Sequence, residues 1–120
     1  PYLVDAILDR DGEIIEQKKA YLIREEMIEK KHIREALKGM RQAVTQGTAR
    51  LLGQVSVPIA AKTGTAQAGK GLPHAWVTAF GPYENPELAI VIMVEHAGEG
   101  STVAVPITND ILKWYFRDRK

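Results

Sequence analysis

Lys62-Thr63-Gly64-Thr65 is the stretch of this chain whose residue types and order could do chemistry. A cation, two hydroxyls and a bare glycine along a sheet edge can hold a carboxylate while backbone N–H groups face a reacting carbonyl. The run follows Val57-Pro58-Ile59-Ala60-Ala61, which reads as a buried strand, and continues into Ala66-Gln67. Acyl transfer by a serine enzyme also needs an activated hydroxyl and a proton relay. The chain has only two serines, Ser56 and Ser101; neither has a lysine three residues on, and neither has Asn or Asp two residues on. The stretch therefore reads as a piece of an active site without its nucleophile.

Other polar residues compete for a role and mostly fall to plainer readings. Gln67 either lines the same cleft or is a solvated strand residue. His74 precedes an apolar strand, but no partner carboxylate is identifiable, so it reads as structural, as do His32 and His96. The three histidines do not share metal-ligand spacing, and no metal or cofactor is expected. Trp76 and Phe80 lie four apart on one strand face and read as core packing. Gly98-Glu99-Gly100-Ser101 could form an anion nest at a helix start, although its glutamate favours a simple tight turn. Asp5, Asp9 and Asp11 beside Gly12 fall far short of a calcium loop.

K-T-G is a signature of penicillin-binding proteins and β-lactamases, beside S-x-x-K and S-x-N segments that this chain lacks. The surroundings extend the likeness. His74-Ala75-Trp76-Val77-Thr78-Ala79-Phe80-Gly81-Pro82-Tyr83-Glu84-Asn85-Pro86 and the strand Glu87 to Glu95 resemble the segments that follow K-T-G-T-A-Q in class B penicillin-binding proteins. So do Gly98 to Ser101 with Val103-Ala104-Val105-Pro106-Ile107 and, upstream, Ile33 to Met40 and Gly47-Thr48-Ala49. Nearly the whole chain resembles the elongation-type, penicillin-binding-protein-2-like members. His96-Ala97 stands where the family more usually has asparagine-glycine.

The resemblance implies the C-terminal part of a peptidoglycan D,D-transpeptidase domain. In such an enzyme a serine attacks a D-Ala–D-Ala stem peptide and passes the acyl group to an amine, and β-lactams trap that serine. By the same resemblance Lys62 supports the proton network, and the hydroxyls of Thr63 and Thr65 bind the carboxylate of the peptide or β-lactam. The Thr65 N–H supplies one oxyanion donor, and Gly64 lets substrate backbone approach. The implied partners are stem peptide, β-lactams and the S-x-x-K and S-x-N portion of the domain. The implied location is the outer face of a bacterial cell membrane. The chain alone is expected to be catalytically silent. A non-catalytic module that binds a partner or another copy of itself is the alternative, and a β-lactam sensor or class D β-lactamase relative a more distant one.

The positions around the motif bound what can hold it. A chain of 120 residues supports one compact domain or part of a larger one. Its 16 Lys and Arg nearly balance 15 Asp and Glu, so charge gives no reason to expect nucleic-acid binding. Zero cysteines exclude disulfides and thiolate metal sites. No run approaches the ~20 apolar residues of a membrane span, and no segment reads as a signal peptide.

The pattern predicts an α+β fold: an antiparallel sheet, built as a three-strand meander plus an N-terminal hairpin, covered by helices. Residues 1–16 read as the hairpin, because Asp11-Gly12 sits between the apolar runs Tyr2–Leu8 and Glu13–Ile15. A helix is expected over 32–47, burying Ile33, Leu37, Met40 and Val44, with Arg34, Glu35, Lys38 and Arg41 in solvent and Gly47 as its stop. The K-T-G sheet is expected over 57–96. A last helix over 101–117 is expected to bury Ile107, Ile111, Trp114 and Tyr115 and to be capped by Ser101 or Thr102. Arg117-Asp118-Arg119-Lys120 reads as a solvated tail.

Overall fold

Three runs bounded by turn residues build the centre of this protein. In the computed structural model, which describes residues 3–19, 21–25 and 27–117, they pair as an antiparallel meander. These are β3 (Ala60–Ala66), β4 (His74–Gly81) and β5 (Leu88–Val94), with β3 at one edge. Before them come β1 (Ala6–Leu8), β2 (Ile14–Gln17), α1 (Lys30–Thr45) and a 3-10 turn over Arg50–Gln54; α2 (Ala104–Phe116) closes the chain. Tyr2 of the expected hairpin and Asp118–Lys120 of the expected tail lie outside the described residues.

The two sheets and flanking helices make the α+β arrangement that the pattern predicts. The hairpin stays a sheet of its own rather than joining the meander. Its turn is held by the Asp9 carboxylate, whose Oδ1 accepts from the backbone N–H groups of Asp11 and Glu13, each at 2.9 Å.

Residues paired straight across a ladder share a face. Thr63 pairs with Val77, and Val77 with Ile92; Lys62 pairs with Thr78, and Thr78 with Val91. The first face is the core: Ala61, Ala75, Val77 and Ala79 are fully buried there, with Leu88, Ile90, Ile92 and Val94 packed against the same cluster. The second carries Trp76, Val91 and Met93, which are 36%, 62% and 41% exposed. Trp76 therefore does not pack in the core as its strand pattern suggested, and Phe80 is only half-buried, stacked on Tyr83. The reason is space: α2 approaches the sheet closely enough that β4 offers it only alanine and valine.

The face of α2 is also turned from its expected setting. Val105, Thr108, Asn109, Leu112 and Phe116 are buried, whereas Ile107, Ile111 and Trp114 are 41%, 36% and 68% exposed and Tyr115 is half-buried. Both stripes have helical spacing. The polar Thr108 disguised the true one, but its hydroxyl is satisfied by donating to the Ala104 carbonyl at 2.8 Å. Neither Ser101 nor Thr102 caps this helix: Thr102 donates instead to the Glu99 carbonyl, and Val103 holds the cap position.

Helix α1 packs beside β3. Val44 is its buried residue, Leu37 and Met40 are half-buried, and Ile33 is exposed. Arg41 is not a solvent residue. Its guanidinium is half-buried and donates to the Ile59 carbonyl at 2.7 Å, tying the helix to the start of β3.

Candidate functional site

The site is built on an edge strand whose entrance is clamped from several sides. Before β3 begins, the Ile59 carbonyl accepts from Arg41, the Pro58 carbonyl from the Tyr83 N–H at 2.8 Å, and Ser56 donates to the Phe116 carbonyl at 2.9 Å. Ile59, Ala60 and Ala61 are then fully buried, and the burial stops at Lys62. Apolar residues thus anchor the strand, and its polar continuation emerges at the surface.

Along that continuation the residues alternate between faces. Lys62 and Gly64 share the open face with Thr78 and Trp76, opposite which they pair. Thr63 and Thr65 lie on the other face, at the rim of the core. Lys62 is exposed, and its Nζ donates to the Thr63 carbonyl. An ammonium carries three donors, so two remain for other acceptors. Among the described residues no carboxylate pairs with it. Thr63 and Gly64 are half-buried, and Thr65 and Gln67 are exposed.

Two close contacts brace the strand from the core side and from its edge. The turn before α2 brings Gly100 flat against it: a Cβ there would stand 2.2 Å from the Trp76 carbonyl oxygen and 2.6 Å from that of Gly64. Only glycine fits, because the obstacles are backbone atoms. The stretch Gly98 to Ser101 is therefore a packing turn, and Gly98 donates its N–H to the Pro73 carbonyl at 2.9 Å. At the edge, the hydroxyls of Thr48 and Thr63 lie 2.7 Å apart. Sequence reasoning placed Thr48 in a family-like segment without giving it a task, since nothing local links residues fifteen apart.

His74 and His96 form a second cluster at the far end of β3 and β4. Their rings meet edge to face at 4.7 Å, and the His96 N–H donates to His74 Nδ1 at 2.9 Å. His74 Nδ1 is thus an acceptor, engaged by backbone. His96 adopts φ 50°, and its Nδ1 lies 3.2 Å from the Leu72 carbonyl. Neither ring faces Lys62 by any contact in the structure. Among the described residues no group of three or more His, Cys, Asp or Glu could hold a metal ion. On the exposed side of α1, a hydrogen bond from Lys38 to Glu35, and then the Glu35 charge, raise the Lys38 pKa above its ordinary value; that pair is remote from the strand.

An antiparallel sheet with a terminal helix on one face thus carries Lys-Thr-Gly-Thr along its edge strand. Residues 1–113 match the family described as penicillin binding protein transpeptidase domain, and the chain belongs to that family. Among curated relatives, it is similar to the peptidoglycan D,D-transpeptidase MrdA of Salmonella typhimurium, with 32% identity over 99 residues, 70% of this chain and 16% of the relative. Among solved structures, it is similar to penicillin-binding protein A from M. tuberculosis in a ceftriaxone acyl-enzyme complex. The TM-score there is 0.72 at 28% identity, covering 94% of this chain and 27% of that one. A complex between penicillin-binding protein 2 and MreC from Helicobacter pylori matches with TM-score 0.61 and 33% identity, over 73% of this chain and 17% of that one. These likenesses place the chain with the penicillin-binding-protein-2 type. It spans 7% to 16% of the length of the first curated relatives it matches.

Proposed function

We propose that this chain forms the K-T-G wall of a peptidoglycan D,D-transpeptidase site whose serine lies in another part of the domain. The observation that carries this reading is a Lys62-Thr63-Gly64-Thr65 run that emerges from the core along an edge strand, in a chain without S-x-x-K. Residues 1–16, 32–47, 57–96 and 101–117 are then pieces of one C-terminal portion of that domain. In the assembled site the Lys62 ammonium supplies positive field and a proton-network donor beside the incoming serine. The hydroxyls of Thr63 and Thr65 hold the donor's carboxylate, with Gln67 at the rim. The Thr65 N–H, on an edge strand, donates to the oxyanion of the tetrahedral intermediate. The serine attacks the D-Ala–D-Ala carbonyl, D-alanine leaves, and an amine of a second stem peptide resolves the acyl-enzyme. A β-lactam enters the same path, and its opened ring remains attached to the serine.

The sheet face carrying Trp76, Val91 and Met93 is where the serine-bearing portion docks. The site works at the outer face of the bacterial membrane. Among the described residues no helix is long and apolar enough to cross a membrane. The MreC complex of the Helicobacter relative supports a protein partner for the assembled enzyme. A second reading, a non-catalytic module that self-associates, is favoured by the same exposed face. Intact mass after incubation with a reactive penicillin tests the first. This chain alone is expected to show no adduct, and an enzyme joining it to the S-x-x-K and S-x-N portion is expected to gain one penicillin. A stoichiometric adduct on this chain alone would overturn the half-site reading.

A further inference from the structure

The loop that follows α1 is fixed from three directions, and its Thr48 side chain meets the K-T-G strand. The Gln46 N–H donates to the Gln42 carbonyl and the Ala49 N–H to the Ala43 carbonyl, both at 2.9 Å. Gly47 lies so close to the helix that a Cβ would stand 2.8 Å from the Ala43 Cα. Ala49 is fully buried. Between these two anchored residues Thr48 has little backbone freedom, and its β-branched side chain has few rotamers. Its hydroxyl is held 2.7 Å from that of Thr63.

A hydroxyl carries one proton to donate and two lone pairs to accept with. When Thr48 donates to Thr63, the Thr63 oxygen has its acceptor side engaged, and its own proton must point elsewhere. The remaining direction is away from the α1 loop, where an anionic oxygen can take it. Hydrogen bonds in such a chain strengthen one another, so the outer donor is improved as well as aimed. The opposite order, Thr63 donating to Thr48, leaves Thr63 without a proton for a carboxylate. An anion at the strand selects the first arrangement.

We propose that Thr48 is a positioning residue, which orients the Thr63 hydroxyl toward the carboxylate of the acyl donor. The inference rests on the carboxylate-binding part of the function proposed above. It assigns the α1–β3 connection a share of substrate affinity, although Thr48 itself touches no substrate.

The test uses the full transpeptidase that carries this segment together with its serine-bearing portion. Acylation is followed with benzylpenicillin and with its methyl ester, which lacks the anion, and the ratio of the two efficiencies is read because it does not depend on the folded fraction. Thr48→Val is expected to lower that ratio roughly tenfold, the size of a lost hydrogen bond to a charged group. Thr48→Ser is expected to restore it, and Thr63→Val combined with Thr48→Val to be no worse than Thr63→Val alone. Equal losses with both probes, or none, would show that Thr48 is merely structural and overturn the proposal. A drop in the ratio at Thr63 with none at Thr48 overturns this inference only. A Thr63→Val enzyme with an unchanged ratio overturns the carboxylate reading and this inference with it.

Discussion

His96 shows how one side chain can read as uninformative and still carry a conformational demand. Its φ of 50° lies in the left-handed region, where a Cβ is unfavourable and asparagine is among the tolerated residues. The ring meanwhile contacts His74 and the Leu72 carbonyl, closing the connection between β3 and β4 over the strand ends. His96→Asn is expected to leave thermal stability nearly unchanged. His96→Val, β-branched at positive φ, is expected to cost about 1–2 kcal/mol, several degrees of melting temperature in a chain this size. Equal melting of the two variants would remove the strain argument. The same limit of local reading applies to Thr48: its neighbours Gly47 and Ala49 announce a helix end, but its contact with Thr63 exists only once α1 docks on β3.

At the scale of elements, what was legible depended on whether one physical rule decided the outcome. The meander followed from apolar runs bounded by the turn residues Gly69 to Pro73 and Pro82 to Pro86, and the strands fall there. The motif positions on β3 were legible from the apolar residues before them, although the strand begins at Ala60 and leaves Val57, Pro58 and Ile59, read as part of it, in the preceding connection. The setting of α2 was not. Its sequence offers two stripes at helical spacing, and counting apolar residues selects the wrong one. Burial of Thr108 is inexpensive because its hydroxyl bonds within the helix, which a hydropathy pattern does not register. The two settings make opposite predictions. Leu112, fully buried, is expected to lose ~2–5 kcal/mol on replacement by alanine, whereas Ile107→Ala is expected to lose well under half of that. Urea unfolding of both variants decides, and a larger loss at Ile107 would reverse the assigned face. Trp76 failed for a related reason. Size argued for the core, but the core side of β4 has room only for alanine and valine.

For the whole molecule the informative quantity is what is left uncovered. One face of the sheet has α2 on it, and the other shows Trp76, Val91 and Met93 to solvent. Exposed apolar surface at the centre of a sheet favours association, and the unpaired side of β3 adds hydrogen-bonding groups to it. The chain by itself is expected to grow in apparent mass with concentration in light scattering. A sharp monomer at every concentration would argue that this face is tolerated bare and would weaken both the docking and the self-association readings. The family match extends across the chain, while the chain spans a small part of its relatives.

The contact at Gly100 has a mechanical meaning. The rear of the K-T-G strand is braced by main chain against main chain, with no side chain between to change rotamer and absorb a displacement. The Gly100 carbonyl in turn accepts the Val105 N–H in the first turn of α2 at 2.9 Å. Strand, turn and helix start therefore form one stiff lever, and β3 can swing only by carrying the beginning of α2 with it.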